Sequence, residues 1–360
     1  MVCINSGKIA SKAAYLQTNS DIYRPNGVTK IDAHDATVAF QNLDPHTILD
    51  SIDSVGWQTD GRVSALNSYE NRVYSVGLAD NTSIVAKFYR PARWTDASIL
   101  EEHAFCASLV EHDLPVVAPL KDTNGHTLYR HGPFRFCLFP RSGGRPPELD
   151  NPSQLAVIGR TIARLHLVAD THYFEHRPYI DANRLGEDSA DYLLNGALMP
   201  RDQAVIYESI IDELLDEVHA QMEHYAYHEL CLHGDFHPGN ILWGSDDTPH
   251  LLDFDDTATG PAMQDLWMFI SGDRQYAQAR LGDLLDGYNE FREFDTREIA
   301  LIEPLRTLRI IHYAAWIARR WEDPAFGKAF PFFAEPRFWD DHIQSLREQR
   351  ASLDNPHLIY

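Results

Sequence analysis

Apolar and polar residues alternate in two segments of the first third of the chain, a pattern typical of β-strands. The alternation covers residues 72–76 and 83–89, and the turn-forming residues between them predict an antiparallel hairpin. Residues 134–139 predict a further strand. A short helix is predicted at residues 48–52, and helical spacing of apolar positions predicts a longer one over residues 95–110. The first part of the chain is therefore predicted to be mainly strands.

Glycine and proline become frequent at residues 141–147, where we place the boundary between two lobes. Beyond it the spacing of apolar residues predicts helices, which cover residues 155–168, 204–225, 264–270 and 302–321, with two short strand-like runs near His233 and Asp253. Strands followed by helices predict an α+β fold of two unequal lobes with a cleft between them. We expect a loose tail at residues 1–36, an N-lobe at 37–141 that binds the nucleotide and a helical C-lobe at 142–360.

Composition and charge exclude several classes of protein. The 360 residues are 44% hydrophobic, which is enough for a packed core, and their net charge of -22 repels nucleic acids and anionic lipids. No apolar run approaches the roughly 18 residues of a membrane helix, and the four cysteines form no C-x-x-C pair. We therefore predict a cytoplasmic monomer that binds neither nucleic acid nor membranes.

The densest group of polar residues lies at the ends of the two strand-like runs. Asn240 follows Asp235 by five positions, and Asp253 follows the second run. This order fits the phosphotransfer template, in which the loop aspartate accepts the proton of the attacking hydroxyl. The asparagine and the later aspartate then bind Mg²⁺, and a lysine on a strand binds the phosphates of ATP. Lys87 is the candidate lysine, and Glu102, preferred to its neighbour Glu101, is its predicted carboxylate partner.

Several longer stretches resemble the bacterial stress response kinase A family, in the aminoglycoside and choline kinase branch of the protein-kinase-like superfamily. The resemblance rests on residues 66–74, 85–91, 99–103, 233–243, 260–268 and 303–306. It implies a bilobal protein-kinase-like fold and an ATP- and Mg²⁺-dependent Ser/Thr protein kinase of stress responses.

By position, the resemblance implies the same roles for the residues of the phosphotransfer template: Asp235 as the base, Asn240 and Asp253 as metal ligands, and Lys87 with Glu102 at the nucleotide phosphates. It also places Ser68 in the loop over the phosphates, where the chain has no G-x-G-x-x-G motif. Without the resemblance, this loop is only a hairpin turn.

Three alternatives stay open at this point. The hydroxyl acceptor could be a small molecule of the choline, homoserine or aminoglycoside type, because the catalytic residues would be the same. A metal-dependent hydrolase could use His233, Asp235 and His237, and residues 172–176 match a short H-x-x-E-H zinc pattern, although Pro178 disfavours the helix that this pattern needs. A non-catalytic ATP-binding module is the third alternative.

Other polar residues have more than one interpretation. Asp265 is predicted to bond backbone amides of the catalytic loop, and Asp255 either assists Mg²⁺ or orients the loop. The arginines of the late helix are interpreted as partners of the surplus carboxylates, and a role along an acceptor groove is the less favoured interpretation; they are Arg306, Arg309, Arg319 and Arg320.

Overall fold

A five-stranded antiparallel sheet forms the first part of the molecule, in a computed structural model that describes residues 39–360. The strands lie in the order β1-β2-β3-β5-β4 and are β1 (Thr59–Ala65), β2 (Arg72–Leu78), β3 (Ser83–Phe88), β4 (Tyr129–His131) and β5 (Phe134–Pro140). The predicted hairpin is confirmed by antiparallel pairing of β2 with β3, in which Val73 lies opposite Lys87. The predicted tail, residues 1–36, lies outside the described residues.

Two helices accompany the sheet. Helix α1 (Pro45–Asp53) begins with a proline, and the side chain of Asp44 caps its first turn by accepting the amide of Thr47 at 2.9 Å. Helix α2 (Asp96–Glu111) contacts both parts of the molecule. Ile99 packs beside the sheet, whereas Phe105 belongs to the large C-terminal core. Helix α2 therefore fixes the sheet to the second lobe and places Glu102 between them.

The second lobe is mostly helical. Its helices are α3 (Pro152–Ala169), α4 (Asp188–Leu194), α5 (Arg201–His224), α6 (Arg274–Tyr288), α7 (Ile302–Ala318), α8 (Pro324–Ala329) and α9 (Pro336–Leu353). Helices α3 and α6 approach so closely that a Cβ added to Gly159 would lie 2.0 Å from the carbonyl oxygen of Leu284. Only glycine fits at such a contact, so this residue sets the distance between the two helices.

Two short ladders lie at the front of the helical lobe and position the polar loops. Strand β6 (Leu230–Leu232) pairs with β9 (Ala258–Gly260), and β7 (Ile241–Trp243) pairs with β8 (Pro249–Leu251), both antiparallel. The loop that follows β6 and the loop that follows β8 begin at neighbouring points. This arrangement brings Asp235 and Asp253, which are 18 positions apart in the sequence, to the same cleft.

Three of the four helices predicted for this lobe are confirmed by α3, α5 and α7, but the helix predicted at residues 264–270 is wrong. That segment forms two 3₁₀ turns, Ala262–Asp265 and Trp267–Phe269. Side chains tie it to its surroundings: Asp265 accepts two backbone amides of the catalytic loop, and Glu298 accepts the amide of Met263 at 2.9 Å. These tertiary contacts outweigh the helical spacing of the segment.

Candidate active site

A cleft of about 1720 Å³ lies between the sheet and the helical lobe. Five of the six predicted site residues line it, namely Ser68, Lys87, Asp235, Asn240 and Asp253. The sixth, Glu102, lies behind the wall of the cleft and reaches it through Lys87, with Oε1 3.7 Å from Nζ. The sequence therefore identified side chains that the fold brings together, although they come from positions up to 185 residues apart.

Lys87 lies on β3 and its ammonium group is surrounded by carboxylates. Its Nζ is 3.0 Å from Oδ1 of Asp253 and 3.0 Å from Oδ1 of Asp255, and only 5% of the side chain is exposed. Burial by itself would lower the pKa of Lys87, but the surrounding carboxylates, including Glu102, raise it well above its usual value. The lysine is therefore a fixed positive charge at the wall of the cleft.

Glu102 projects from α2 toward this lysine, as predicted. Its side chain is 2% exposed, and burial raises its pKa to about 7 even though Lys87 opposes the shift. Glu101 points elsewhere, because its two carboxylate oxygens accept the amides of Glu175 and His176 at 2.7 and 2.8 Å. The geometry thus selects Glu102 over Glu101 as the partner of Lys87.

The loop after β6 is shaped by hydrogen bonds that hold its backbone. Asp265 accepts the amides of His233 and Gly234, each at 2.9 Å, so the predicted structural role of Asp265 is confirmed. The ring Nε2 of His233 donates to the carbonyl oxygen of Leu252 at 2.8 Å. Gly234 has φ +82, and a Cβ there would lie 2.1 Å from the carbonyl oxygen of Asp256. The loop therefore needs glycine at this position.

Asp235 lies at the tip of this loop and is held by groups from both sides. Its Oδ1 is 2.6 Å from Nη1 of Arg309 on α7, and its Oδ2 is 3.5 Å from Nε2 of His237. Burial would raise the pKa of Asp235, but Arg309 and His237 outweigh burial and hold the pKa well below its usual range. The aspartate is therefore ionised and oriented, as a proton acceptor must be.

Arg309 is the site residue that the sequence interpretation missed. The sequence assigns Arg309 and three other arginines to ion pairs with surplus carboxylates. The carboxylate that Arg309 contacts is that of Asp235, the predicted catalytic base. Arg306 and Arg320 do pair as expected, with Glu303 and Glu70. Arg319 has no ion-pair partner among residues 39–360, which contradicts that interpretation for this residue. Helical spacing could have shown that Arg309 and Arg320 share a face with Trp316, but not which partners that face meets.

Asn240 and Asp253 present oxygen atoms to the cleft. The Nδ2 of Asn240 donates to the backbone oxygen of Asp235 at 3.0 Å, which leaves the amide oxygen to bind a cation. Asp253 has left-handed backbone dihedrals, φ 56 and ψ 65, and its side chain is 51% exposed. Such left-handed dihedrals are uncommon for a residue other than glycine, although aspartate adopts them more readily than most residues. An amide and a carboxylate oxygen, completed by substrate phosphates, suit Mg²⁺.

Asp255 is the buried counterpart of Asp253. Its side chain is 4% exposed and contacts Lys87 and Arg93, and its Oδ2 accepts a hydrogen bond from the side-chain Nδ2 of Asn71 at 3.1 Å. Burial would raise the pKa of Asp255, but Arg93 and Lys87 hold it well below its usual range. Because Lys87 and Arg93 pair with the Asp255 carboxylate, Asp255 orients the N-lobe relative to the loop that follows β8.

The loop between β1 and β2 contains Ser68 and closes one side of the cleft. The Ser68 hydroxyl donates to the carbonyl oxygen of Asn71 at 3.0 Å, so its proton is used to shape the turn. Glu70 of the same loop accepts the indole nitrogen of Trp316 at 2.6 Å and pairs with Nε of Arg320 at 2.6 Å. The loop is thereby tied to α7 of the other lobe. Binding of phosphate by Ser68 stays a prediction.

The features that favoured a hydrolase have structural explanations. Residues 172–176 form no helix, so the H-x-x-E-H pattern does not present its side chains on one face. His237 uses Nδ1 to accept the amide of Gly239 at 3.0 Å and shapes the turn before Asn240. In the described part of the chain, no three His, Cys, Asp or Glu side chains are grouped so that they could hold a metal ion.

Comparison with known proteins fits this geometry. The model of the phosphotransferase enzyme family matches residues 62–302, which is more than half of the chain. The chain belongs to this family. Stress response kinase A of Escherichia coli strain K12 is 42% identical over 325 residues, which cover 90% of the chain and 98% of that protein. The serine/threonine protein kinase RdoA of Salmonella typhimurium is 41% identical over the same shares.

The fold prediction and the predicted resemblance are confirmed. Among solved structures, the amicoumacin kinase in complex with AMP-PNP, Ca²⁺ and Ami has a TM-score of 0.64 at 18% identity, covering 84% of this chain and 94% of that chain. Such a likeness shows the bilobal fold of the kinase-like phosphotransferases. The family model and the relatives named as kinases confirm the prediction of an ATP-dependent kinase. No helix in residues 39–360 is both long and apolar enough to span a membrane.

Proposed function

We propose that this phosphotransferase is a Ser/Thr protein kinase of a stress response that transfers the γ-phosphate of ATP with the help of Mg²⁺. One observation supports this most: Lys87, Asp235, Asn240 and Asp253 all line one cleft, and each has an ionised or oxygen-bearing group suited to its predicted role. The use of ATP fits the cytoplasmic location predicted from the sequence. The name of one relative, the serine/threonine protein kinase RdoA, favours a protein acceptor.

In this mechanism the protein groups position the reactants and balance charge. Lys87 binds oxygen atoms of the nucleotide phosphates, and Glu102 behind it holds the ammonium group in place. Asn240 and Asp253 would hold Mg²⁺, which neutralises charge on the β- and γ-phosphates when bound. Because the transition state of phosphoryl transfer is loose, positioning and electrostatic stabilisation supply most of the rate.

Asp235 accepts the proton of the attacking hydroxyl. The Arg309 guanidinium keeps this carboxylate ionised and directs it, while His237 contacts the second oxygen. General base catalysis of this kind contributes about 10² to 10⁴-fold in rate. We expect Asp235→Asn to lose about that factor in phosphoryl transfer while it binds ATP as the wild type does, because the amide keeps the shape of the side chain.

The nature of the acceptor is tested with labelled ATP. Purified protein is incubated with γ-labelled ATP alone and then with a cell lysate separated into macromolecular and small-molecule fractions, with the Asp235→Asn variant as the blank. Label on serine or threonine of proteins supports the proposal. Label in metabolites only would make the protein a small-molecule kinase, as the amicoumacin kinase is. Bound ATP without any transfer would make it a non-catalytic module.

A further inference from the structure

The part of the cleft wall that the helical lobe contributes contains four arginines. Arg309, Arg319 and Arg320 come from α7 and its C-terminal end, and Arg184 comes from the π-helical turn Asn183–Glu187. His312, on the same face of α7, lies among them. Residues 309, 312, 316 and 319 repeat at the spacing of one helix face, so α7 presents this face to the cleft along its length.

Two of these guanidinium groups have no carboxylate partner. Arg309 pairs with Asp235 and Arg320 pairs with Glu70. Arg184 donates through Nε to the carbonyl oxygen of Tyr179 at 2.6 Å, and Arg319 donates through Nη2 to that of Asp188 at 2.7 Å. Within residues 39–360 neither makes an ion pair, and each keeps nitrogen donors that no hydrogen bond uses. Half-buried guanidinium groups that have unused donors and no carboxylate partner are suited to bind an anion.

The neighbouring groups support a positive potential at this wall. Burial and the four guanidinium groups hold the pKa of His312 well below its usual value, so its ring is neutral. The guanidinium carbon of Arg319 lies 4.7 Å from the centre of the Tyr192 ring, which restricts its position. Carboxylates also lie near this wall. Asp188 and Glu322 are exposed to solvent, where their charge is screened, Asp256 pairs with Arg93, and Asp181 is half-buried near Arg184.

From this arrangement we infer that the acceptor is an acidic protein segment, in which glutamate or aspartate residues near the phosphorylated Ser or Thr bind Arg184 and Arg319. The inference rests on the proposed protein kinase activity and adds the charge of its substrate. Arg319 lies ten positions after Arg309, which is beside the base. Ten positions correspond to a distance of about 15 Å along a helix. An extended peptide covers that distance in about four to five residues. The acidic residue is therefore expected within about five positions of the accepting hydroxyl.

Three peptides test the charge preference directly. Each has one central serine and differs only in the five residues on either side, which are rich in glutamate, glutamine or lysine. Binding is measured by fluorescence anisotropy of labelled peptides in the presence of AMP-PNP and Mg²⁺ at about 0.15 M salt, where long-range repulsion by the net charge of -22 is screened. Phosphorylation of the same peptides is measured separately with ATP.

We expect the glutamate peptide to bind at least about tenfold more tightly than the glutamine peptide, and the lysine peptide to bind most weakly, because hydrogen bonds between charged groups are worth that factor. Arg319→Gln and Arg184→Gln should each remove most of the preference. Arg306→Gln is the matched control, since Arg306 lies on the same helix but pairs with Glu303 and does not line the cleft.

The results separate this inference from the proposed activity. Equal binding of the three peptides, preference for lysine, or no binding of any peptide would overturn the inference. Preference for glutamate without phosphorylation would leave the charge inference standing and would contradict the Ser/Thr protein kinase activity. Because the three peptides are compared on the wild-type protein, the test does not depend on how well the arginine variants fold.

Discussion

Replacing Lys87 with methionine tests how far the buried carboxylates of the site depend on a single cation. Among the described residues, Lys87 is the only cation within 4.0 Å of the Glu102 carboxylate, and Oε2 of Glu102 has no hydrogen-bond partner there. Methionine is of similar length, so Lys87→Met removes the charge without a large cavity. Among the described residues, Glu102 then has no cation within 4.0 Å of its carboxylate and only the more distant Arg177 opposes the effect of burial, whereas Asp255 keeps Arg93.

The expected loss follows from the burial of Glu102. Removing one partner of a buried ion pair costs about 3 to 5 kcal/mol of the free energy of unfolding when the remaining charge stays ionised, but Glu102 binds a proton at a smaller cost. The pKa of Glu102 is raised from 4.5 to about 7 by burial, so between these values the folded state binds more protons than the unfolded state. Stability therefore decreases as pH rises through this range. Without Lys87 the folded pKa moves higher still, so the loss that comes from Glu102 is limited to the free energy of protonating it one pH unit above its wild-type pKa. This loss is about 1.4 kcal/mol at pH 8 and close to zero at pH 5.

Urea unfolding, followed by tryptophan fluorescence, measures the free energy of unfolding of the wild type and of Lys87→Met at pH 8 and pH 5. Asp253→Asn is the control for the loss of one charge next to Lys87, and it should change stability by less than about 1 kcal/mol because that side chain is 51% exposed. Adding Glu102→Gln to Lys87→Met should remove the extra loss at pH 8 relative to pH 5, because glutamine does not titrate. A loss at pH 8 below about 1 kcal/mol, or an equal loss at both pH values, would refute the argument.

Three further predictions concern other contacts of the site. Arg309→Gln should raise the pKa of Asp235 and move the acid limb of the kcat/KM profile to higher pH, because the lost guanidinium holds that pKa down; an unchanged profile would contradict the contact. Asn240→Ala should increase the Mg²⁺ concentration for half-maximal activity by about tenfold or more, and an unchanged Mg²⁺ titration would remove Asn240 as a ligand. Despite burial, arginines lower the pKa of Glu70 to about 2, so its stabilisation is present above about pH 4.5 and lost as pH falls toward 2. Glu70→Gln should thus cost up to about 3 kcal/mol at pH 7 and little near pH 2.5, as urea unfolding at both pH values will test.

The hairpin and the long helices could be predicted because their signals are local. Alternation at residues 72–76 and 83–89 became β2 and β3, and apolar spacing predicted α3, α5 and α7 to within a few residues. Strand β1 escaped prediction because Thr59–Ala65 is exposed or half-buried throughout and has no alternating apolar face. Among residues 39–360 it is an edge strand that pairs only with β2, so its structure depends on a neighbour and not on its own pattern.

The candidate site was predictable where residue type and spacing restrict the chemistry, as for Asp235, Asn240 and Asp253. Contacts between distant elements were not predictable in this way. Asp235 meets Arg309 and Glu70 meets Arg320 only because α7 lies against both the catalytic loop and the loop between β1 and β2. A sequence pattern shows which face of α7 is polar, but the partner of that face is fixed by the packing of the lobes.

The segment after Asp253 explains why this site is assembled without an activation loop. A single 3₁₀ turn, Phe254–Asp256, leads almost directly into β9, so no long loop separates the predicted metal ligand from the next element. Arg177 is 3% exposed and donates to the backbone oxygens of Asp255 and Thr257 at 2.5 and 2.9 Å. These hydrogen bonds lie within the segment that an activation loop would occupy. A switch of this segment between an ordered and a disordered form would therefore break a buried hydrogen-bond network. Control of this kinase is therefore expected to act through access of the acceptor to the cleft.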